Sequence, residues 1–203
     1  MRVTIFDYGA GNLHSLAKAL EQADVTVHVE TDPARAVDTD ALVLPGVGAF
    51  GAAAARLAPG RAPMRAAIAG GLPTIGICLG MQLLFYSSDE GAGAGLGLIP
   101  GRVSRLTAER VPQIGWNTLI DAHDPLLEIA PLPIAYYANS FVCRPTNEAS
   151  VVAWSEHEGD RFPAVVRAGS ALGVQFHPEK SSTAGVRFLH AFLDEARAAR
   201  GAR

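Results

Sequence analysis

Apolar positions fall in short runs along the first half of the chain, and the gaps between the runs set the reading. Arg2 to Phe6 is an apolar run that stops at Asp7; a glycine turn follows, and then Leu13, Leu16, Ala17 and Leu20 recur at helical spacing. That is a strand, a turn and a helix. The same logic predicts strands over Val25 to Val29, Ala41 to Leu44 and Thr74 to Ile77, with Ala-rich helical sequence between the last two. Strands alternating with helices imply a parallel sheet covered on both faces, so such strands need not alternate apolar with polar residues. Sites in these sheets form at the carboxyl ends of the strands.

Beyond about Gly97 the texture changes to short β-type segments. They lie around Val103 to Leu106, Gly115 to Ile120, Ile134 to Tyr137, Val151 to Trp154, Ala164 to Val166 and Leu172 to Phe176, and suggest an antiparallel or mixed extension. Gly91 to Gly97 is Gly/Ala-rich and is expected to be a mobile loop. The chain closes with a predicted helix, in which Val186, Leu189, Leu193 and Ala196 form an apolar stripe widened by Phe188 and Phe192. The expected fold class is therefore α/β, with a parallel or mixed sheet between two helical layers. Residues 1–203 are expected to form one domain, since 49% hydrophobic side chains suffice for one sizeable core.

Charge and cysteine usage narrow the function. Acids number 20 against 17 Lys plus Arg, and no basic run is dense enough to track a phosphate backbone, so a nucleic-acid partner is not expected. Cys78 and Cys143 are the two cysteines; with no CxxC pair and no zinc-like spacing, they fit a reducing compartment, and the cytoplasm is the expected location. Ala66 to Ser88 carries no charge and is long enough to span a bilayer, yet Gly70, Gly71, Pro73, Gly76 and Gly80 would break a spanning helix repeatedly. A buried strand flanked by turns accommodates all of them, so no membrane association is expected. No metal site is expected either.

The sharpest local signal is Gly76-Ile77-Cys78-Leu79-Gly80, between an apolar strand and the helical-looking run Met81 to Phe85. It has the form of a nucleophile elbow, where a tight strand-to-helix turn lifts the side chain clear of the sheet and glycines avoid collision with nearby backbone. The helix behind it would aim its amides and dipole at the sulfur and favour thiolate. The blander alternative is a buried structural cysteine between two packing glycines. A base is offered by Gly173-Val174-Gln175-Phe176-His177-Pro178-Glu179 at another strand end. His177 and Glu179, two apart in an extended segment, would leave on the same side, so that Glu179 orients the imidazole. The alternative there is a surface turn stopped by Pro178.

Pro45-Gly46-Val47-Gly48 follows a strand directly and places unhindered amides beside the same sheet edge. Amides of Gly46, Val47, Gly48 and of Leu79 could form an oxyanion hole, worth about 10²-fold to 10³-fold in rate per donor. The rival reading, a dinucleotide fingerprint over Gly46 to Gly51, fails because no Asp or Glu occurs from Ala41 to Ser88 to hold a ribose.

Taken together these motifs resemble the class I, or triad, glutamine amidotransferases. Four further segments, Asp7 to Asn12, Pro45 to Phe50, Pro112 to Asn117 and His177 to Ser181, resemble within that family the glutaminase subunits of imidazole glycerol phosphate synthases, over nearly the whole chain. The resemblance implies a flavodoxin-like class I glutaminase fold, with Cys78 as nucleophile, His177 as acid and base, and Glu179 as its orienter. It implies that Gln82 and Glu90, with backbone near Ser140 and Phe141, hold the amino-acid end of glutamine, and that Asn12, Trp116, Asn117 and Lys180 lie near a subunit interface. No cofactor is implied. The implied partner is a (β/α)₈ cyclase subunit that receives ammonia through a channel, forming a heterodimer. Other readings remain open at this point: a glutaminase for another synthase, such as that for pyridoxal phosphate, or a catalytically silent regulatory subunit. One segment departs from the family, since Asn139 and Phe141 stand where many relatives carry histidine and tyrosine. Cys143 matches no catalytic position.

Overall fold

The structure is a computed structural model that describes residues 1–9, 13–22 and 24–201. Its first half is built as the periodicity predicts: strand β1 (Arg2–Phe6), helix α1 (His14–Leu20), β2 (Thr26–Glu30), β3 (Ala41–Leu44), α2 (Phe50–Leu57), α3 (Arg61–Ala69), β4 (Thr74–Ile77) and a short α4 (Leu79–Gln82). The second half carries β5 (Ser87–Ser88), β6 (Gly101–Arg105), β7 (Gln113–Thr118), α5 (Pro125–Ile129), β8 (Ile134–Asn139), β9 (Phe141–Pro145), β10 (Val151–His157), β11 (Asp160–Ala168), β12 (Ala171–Val174) and α6 (Ser182–Gly201).

Seven strands form one sheet in the order β10-β11-β12-β4-β3-β1-β2. The five from β12 to β2 pair in parallel, and β11 and β10 extend the sheet antiparallel. The period of two divides the central strands between the two faces. Val3, Ile5, Val43, Ile75 and Ile77 pack toward Leu16 and Leu20 of α1 and Phe188, Leu189, Phe192 and Leu193 of α6. Phe6, Leu42 and Leu44 pack toward Phe50, Ala53 and Leu57 of α2 and Met64 and Ile68 of α3. Both faces are thus covered, and β3 and β4 are buried at every position. Burial of each large apolar side chain is worth about 1.5–3 kcal/mol, which makes the two layers the chief source of stability.

Outside this sheet, β5, β6 and β9 form a small sheet, and β7 and β8 form an antiparallel ribbon that pairs Trp116 with Tyr136 and Gln113 with Asn139. Neither β9 nor α5 is apparent from periodicity. The first mixes Phe and Val with Arg and Pro; the second is a single turn, although Asp124 and Pro125 are ideal for its cap and first position, with Asp124 accepting from Leu126 N–H.

Two expectations are corrected. The helical run Met81 to Phe85 ends at Gln82, because the carbonyls beyond it are taken from outside: Leu96 N–H bonds Leu83 O at 2.7 Å, Leu98 N–H bonds Leu84 O at 2.8 Å and Gly95 N–H bonds Tyr86 O at 2.9 Å. By the same bonds the end of the Gly91 to Gly97 segment, from Gly95 on, is tied to the turn after α4. Gly95 is required there, since a Cβ would lie 2.7 Å from Leu83 O and collide with Phe85 O. The uncharged stretch Ala66 to Ser88 resolves into the end of α3, β4 and α4, and among the described residues no helix is long and apolar enough to cross a membrane.

Candidate active site

Cys78 stands at the carboxyl end of the central strand β4, between that strand and α4, with φ 48° and ψ −102°. A side-chain-bearing residue at positive φ costs about 1–3 kcal/mol and persists only when the surroundings impose it. Here they do. A Cβ on Gly76 would lie 2.5 Å from Gly80 O, and one on Gly80 would collide with Leu44 O, so strand, turn and β3 meet backbone against backbone. The Cys78 N–H bonds Val174 O at 2.6 Å, which fixes the turn to the end of β12.

His177 comes from the segment after β12 and is almost fully buried. Its Nδ1 donates to Glu179 Oε1 at 2.8 Å. The route differs from the expected alternation along an extended segment: Pro178 opens a 3-10 turn over Pro178–Lys180, and that turn swings Glu179 back against the imidazole. Burial of the ring would lower the His177 pKa, but hydrogen bonds with Cys78 and Glu179, and the negative charge of both, outweigh it and carry the value from 6.5 up to about 9. With Nδ1 taken by Glu179, Nε2 is the ring nitrogen left for Cys78. That rise favours the charged form of the ring at neutral pH. With α4 reduced to four residues, this charge replaces the helix dipole as the main electrostatic feature beside the sulfur.

The Gly46 loop lies beside this pair. A Cβ on Gly46 would approach His177 Cε1 to 2.8 Å, and one on Gly48, at φ +119°, would touch the Leu79 side chain. Leu79 opens α4, so its N–H precedes the first intrahelical donor, Gln82 N–H to Cys78 O. Sequence reasoning missed what ties the loop down: the buried Tyr8 hydroxyl donates to Pro45 O. Burial raises the Tyr8 pKa well above its usual value, with the charges of Cys78 and Asp7 adding to it, so the hydroxyl stays a donor. An aromatic with a polar tip directly after β1 was the available signal.

Gln82, Ser140 and Phe141 come together. Gln82 Nε2 and Asn139 Nδ2 both donate to Phe141 O at 3.2 Å, and Ser140 O accepts from Leu106 N–H. Glu90 is exposed, and its Oε2 accepts from Phe50 N–H at 2.9 Å, joining its loop to the start of α2 just past the Gly46 loop. Trp116 is half exposed beside Ile114 on one face of the β7–β8 ribbon, edge-on to Tyr136. Asn117 is engaged within the chain, donating to Glu156 O at 2.8 Å. Lys180 is exposed on the turn after Glu179. Asn12 lies outside the described residues. The ribbon is clamped to His177: its N–H bonds Tyr136 O at 2.8 Å, while Ser181 Oγ accepts from Tyr136 N–H and donates to His177 O. Cys143 is buried in β9, and burial raises its pKa well above the usual thiol range, with the charge of Cys78 adding to the rise and Arg144 opposing it.

A thiol on a strained elbow, an imidazole and a carboxylate stand at the strand ends of a parallel sheet, the combination of groups that cysteine hydrolases and acyl transferases use. The sequence model of the family described as glutamine amidotransferase class-I matches residues 4–196, and the chain belongs to that family. Among its curated relatives, the imidazole glycerol phosphate synthase subunit HisH of Halobacterium salinarum is 44% identical over 95% of this chain and 92% of its own length. The subunit of the same name from Symbiobacterium thermophilum is 45% identical, covering 93% and 91%. The fold agrees with a solved glutamine amidotransferase at a TM-score of 0.73, over 96% of this chain and 98% of the other, although only 21% of residues are identical.

Proposed function

We propose that the chain hydrolyses glutamine to glutamate and ammonia and supplies the ammonia to the cyclase subunit of an imidazole glycerol phosphate synthase. That partner then forms imidazole glycerol phosphate and aminoimidazole carboxamide ribotide, in histidine biosynthesis. The observation that carries the glutaminase reading is His177, bonded to Glu179 and packed against Gly46 of a glycine loop able to hold an oxyanion, at the end of the strand beside the Cys78 elbow.

Cys78 sulfur attacks the carboxamide carbon of glutamine, and charge develops on its oxygen, where amides of Gly46, Val47, Gly48 and Leu79 are the donors at hand. His177 protonates the departing nitrogen, so the C–N bond breaks to ammonia and a glutamyl thioester remains. The ring, now neutral, takes a proton from water, which attacks the thioester and releases glutamate. Glu179 holds the ring in the tautomer that both steps need. Gln82, Ser140 and Phe141 hold the amino-acid end of glutamine, and Glu90 pairs with its α-ammonium. No cofactor enters these steps.

The names of the relatives support the synthase reading over that of a pyridoxal phosphate glutaminase. The partner docks on the face that carries Ile114, Trp116 and Tyr136, where aromatic and aliphatic groups stand exposed, and Lys180 and Asn12 belong to the interface by family resemblance alone. The assay is glutamine-dependent synthesis with the cyclase subunit and its ribonucleotide substrate. Cys78→Ala abolishes that synthesis, while added ammonium salt still supports it; full glutamine-dependent turnover in this variant would falsify the assignment.

A further inference from the structure

Gln175 is fully buried, and its side chain reaches the nucleophile: Nε2 donates to Cys78 Sγ across 3.5 Å. It lies two residues before His177, just beyond β12, and the Cys78 amide is bonded to Val174 O, the carbonyl immediately before Gln175. The sulfur therefore meets a carboxamide donor from the same segment that carries His177. Space-filling alone explains this residue poorly. Gln175 Oε1 is buried with no partner among the described residues, a cost that a methionine or leucine of similar volume would not carry.

We propose that Gln175 is a positioning residue whose amide N–H holds the Cys78 sulfur in its anionic form, before attack and again when the sulfur leaves the thioester. This rests on Cys78 being the nucleophile. In the first half-reaction the S–C bond forms, the C–N bond breaks and His177 supplies the proton that the nitrogen takes. In the second, water oxygen bonds the acyl carbon, its proton passes to His177, and the electrons of the C–S bond return to sulfur. Negative charge rests on the sulfur at the start and at the end of the cycle. A donor already fixed at that atom stabilises both states without reorganisation.

The test is the pH profile of iodoacetamide alkylation of the full chain, with Cys78→Ala identifying the labelled site. Gln175→Met is expected to alkylate about three-fold to ten-fold more slowly at neutral pH, its profile moving up by about half a unit to one unit. Gln175→Glu moves further in the same direction, because a second anion faces the sulfur. In turnover with the partner the loss falls on kcat more than on KM. A folded Gln175→Met variant with the wild-type profile overturns the proposal. If that variant does not fold, the side-chain amide resonance of Gln175 in the wild-type chain decides: a shift with the alkylation midpoint supports the contact, and invariance overturns it. Retained turnover in Cys78→Ala would instead defeat the nucleophile assignment, whatever Gln175 does.

Discussion

Two ionic clusters, one half-buried and one buried, sit at opposite purposes in this molecule. On the outer face, Asp124 caps α5 through Leu126 N–H and takes two hydrogen bonds from Arg167, which also bonds Glu195 of α6. Both of its carboxylate oxygens are engaged, and Asp124 and Glu195 raise the Arg167 pKa against the opposing effect of burial. At the strand ends, His177 and Glu179 are more deeply buried, yet Glu179 Oε2 and the neighbouring Gln175 Oε1 have no partner among the described residues, and Cys78 holds an unfavourable φ. The first cluster spends its bonding capacity on joining elements. The second keeps capacity and strain in reserve, as expected where charge must move during reaction.

If that contrast is correct, substitutions should separate activity from stability. Glu179→Gln leaves the shape of the triad but removes its charge, and should lower glutamine-dependent turnover by about 10²-fold to 10⁴-fold while the melting temperature stays within a few degrees. Asp124→Ala should do the reverse. It leaves Arg167 partly buried with one partner fewer and should cost about 3–5 kcal/mol in denaturant unfolding, with unchanged kcat in the fraction that remains folded.

A smaller effect is expected from pH. The His177 pKa is raised in the fold, to about 9 from 6.5, so its contribution to stability is complete below about pH 6.5 and is lost as pH rises through about 9. Thermal unfolding should show a decline across that window, and His177→Gln should flatten it. Cys143 and Tyr8, buried as neutral acids, begin to cost stability only where an exposed thiol or phenol ionises, from about pH 8.5 upward, so the lower part of the window belongs to His177.

Much of this was legible in the chain. The parallel core and the elbow are local: each strand is a contiguous apolar run, and Gly76 and Gly80 are needed by the turn that they flank. What escaped depends on distant partners. The end of Gly91 to Gly97 reads as free because its bonds go to carbonyls 9 to 13 positions earlier, and those same bonds cut α4 short. Glu179 was paired with His177 for the wrong geometric reason, since Pro178 builds a 3-10 turn where extended chain was expected. Tyr8 and Gln175 act on groups 37 and 97 positions away, and no periodicity reports that.

The clamp formed by Tyr136, Ser181 and His177 makes the backbone amide of the base a clock for the outer ribbon. That N–H can exchange with deuterium only when β8 lifts away, so its exchange lifetime records how often the exposed aromatic face and the imidazole part company. A ligand that steadies the ribbon will lengthen that lifetime without touching the ring.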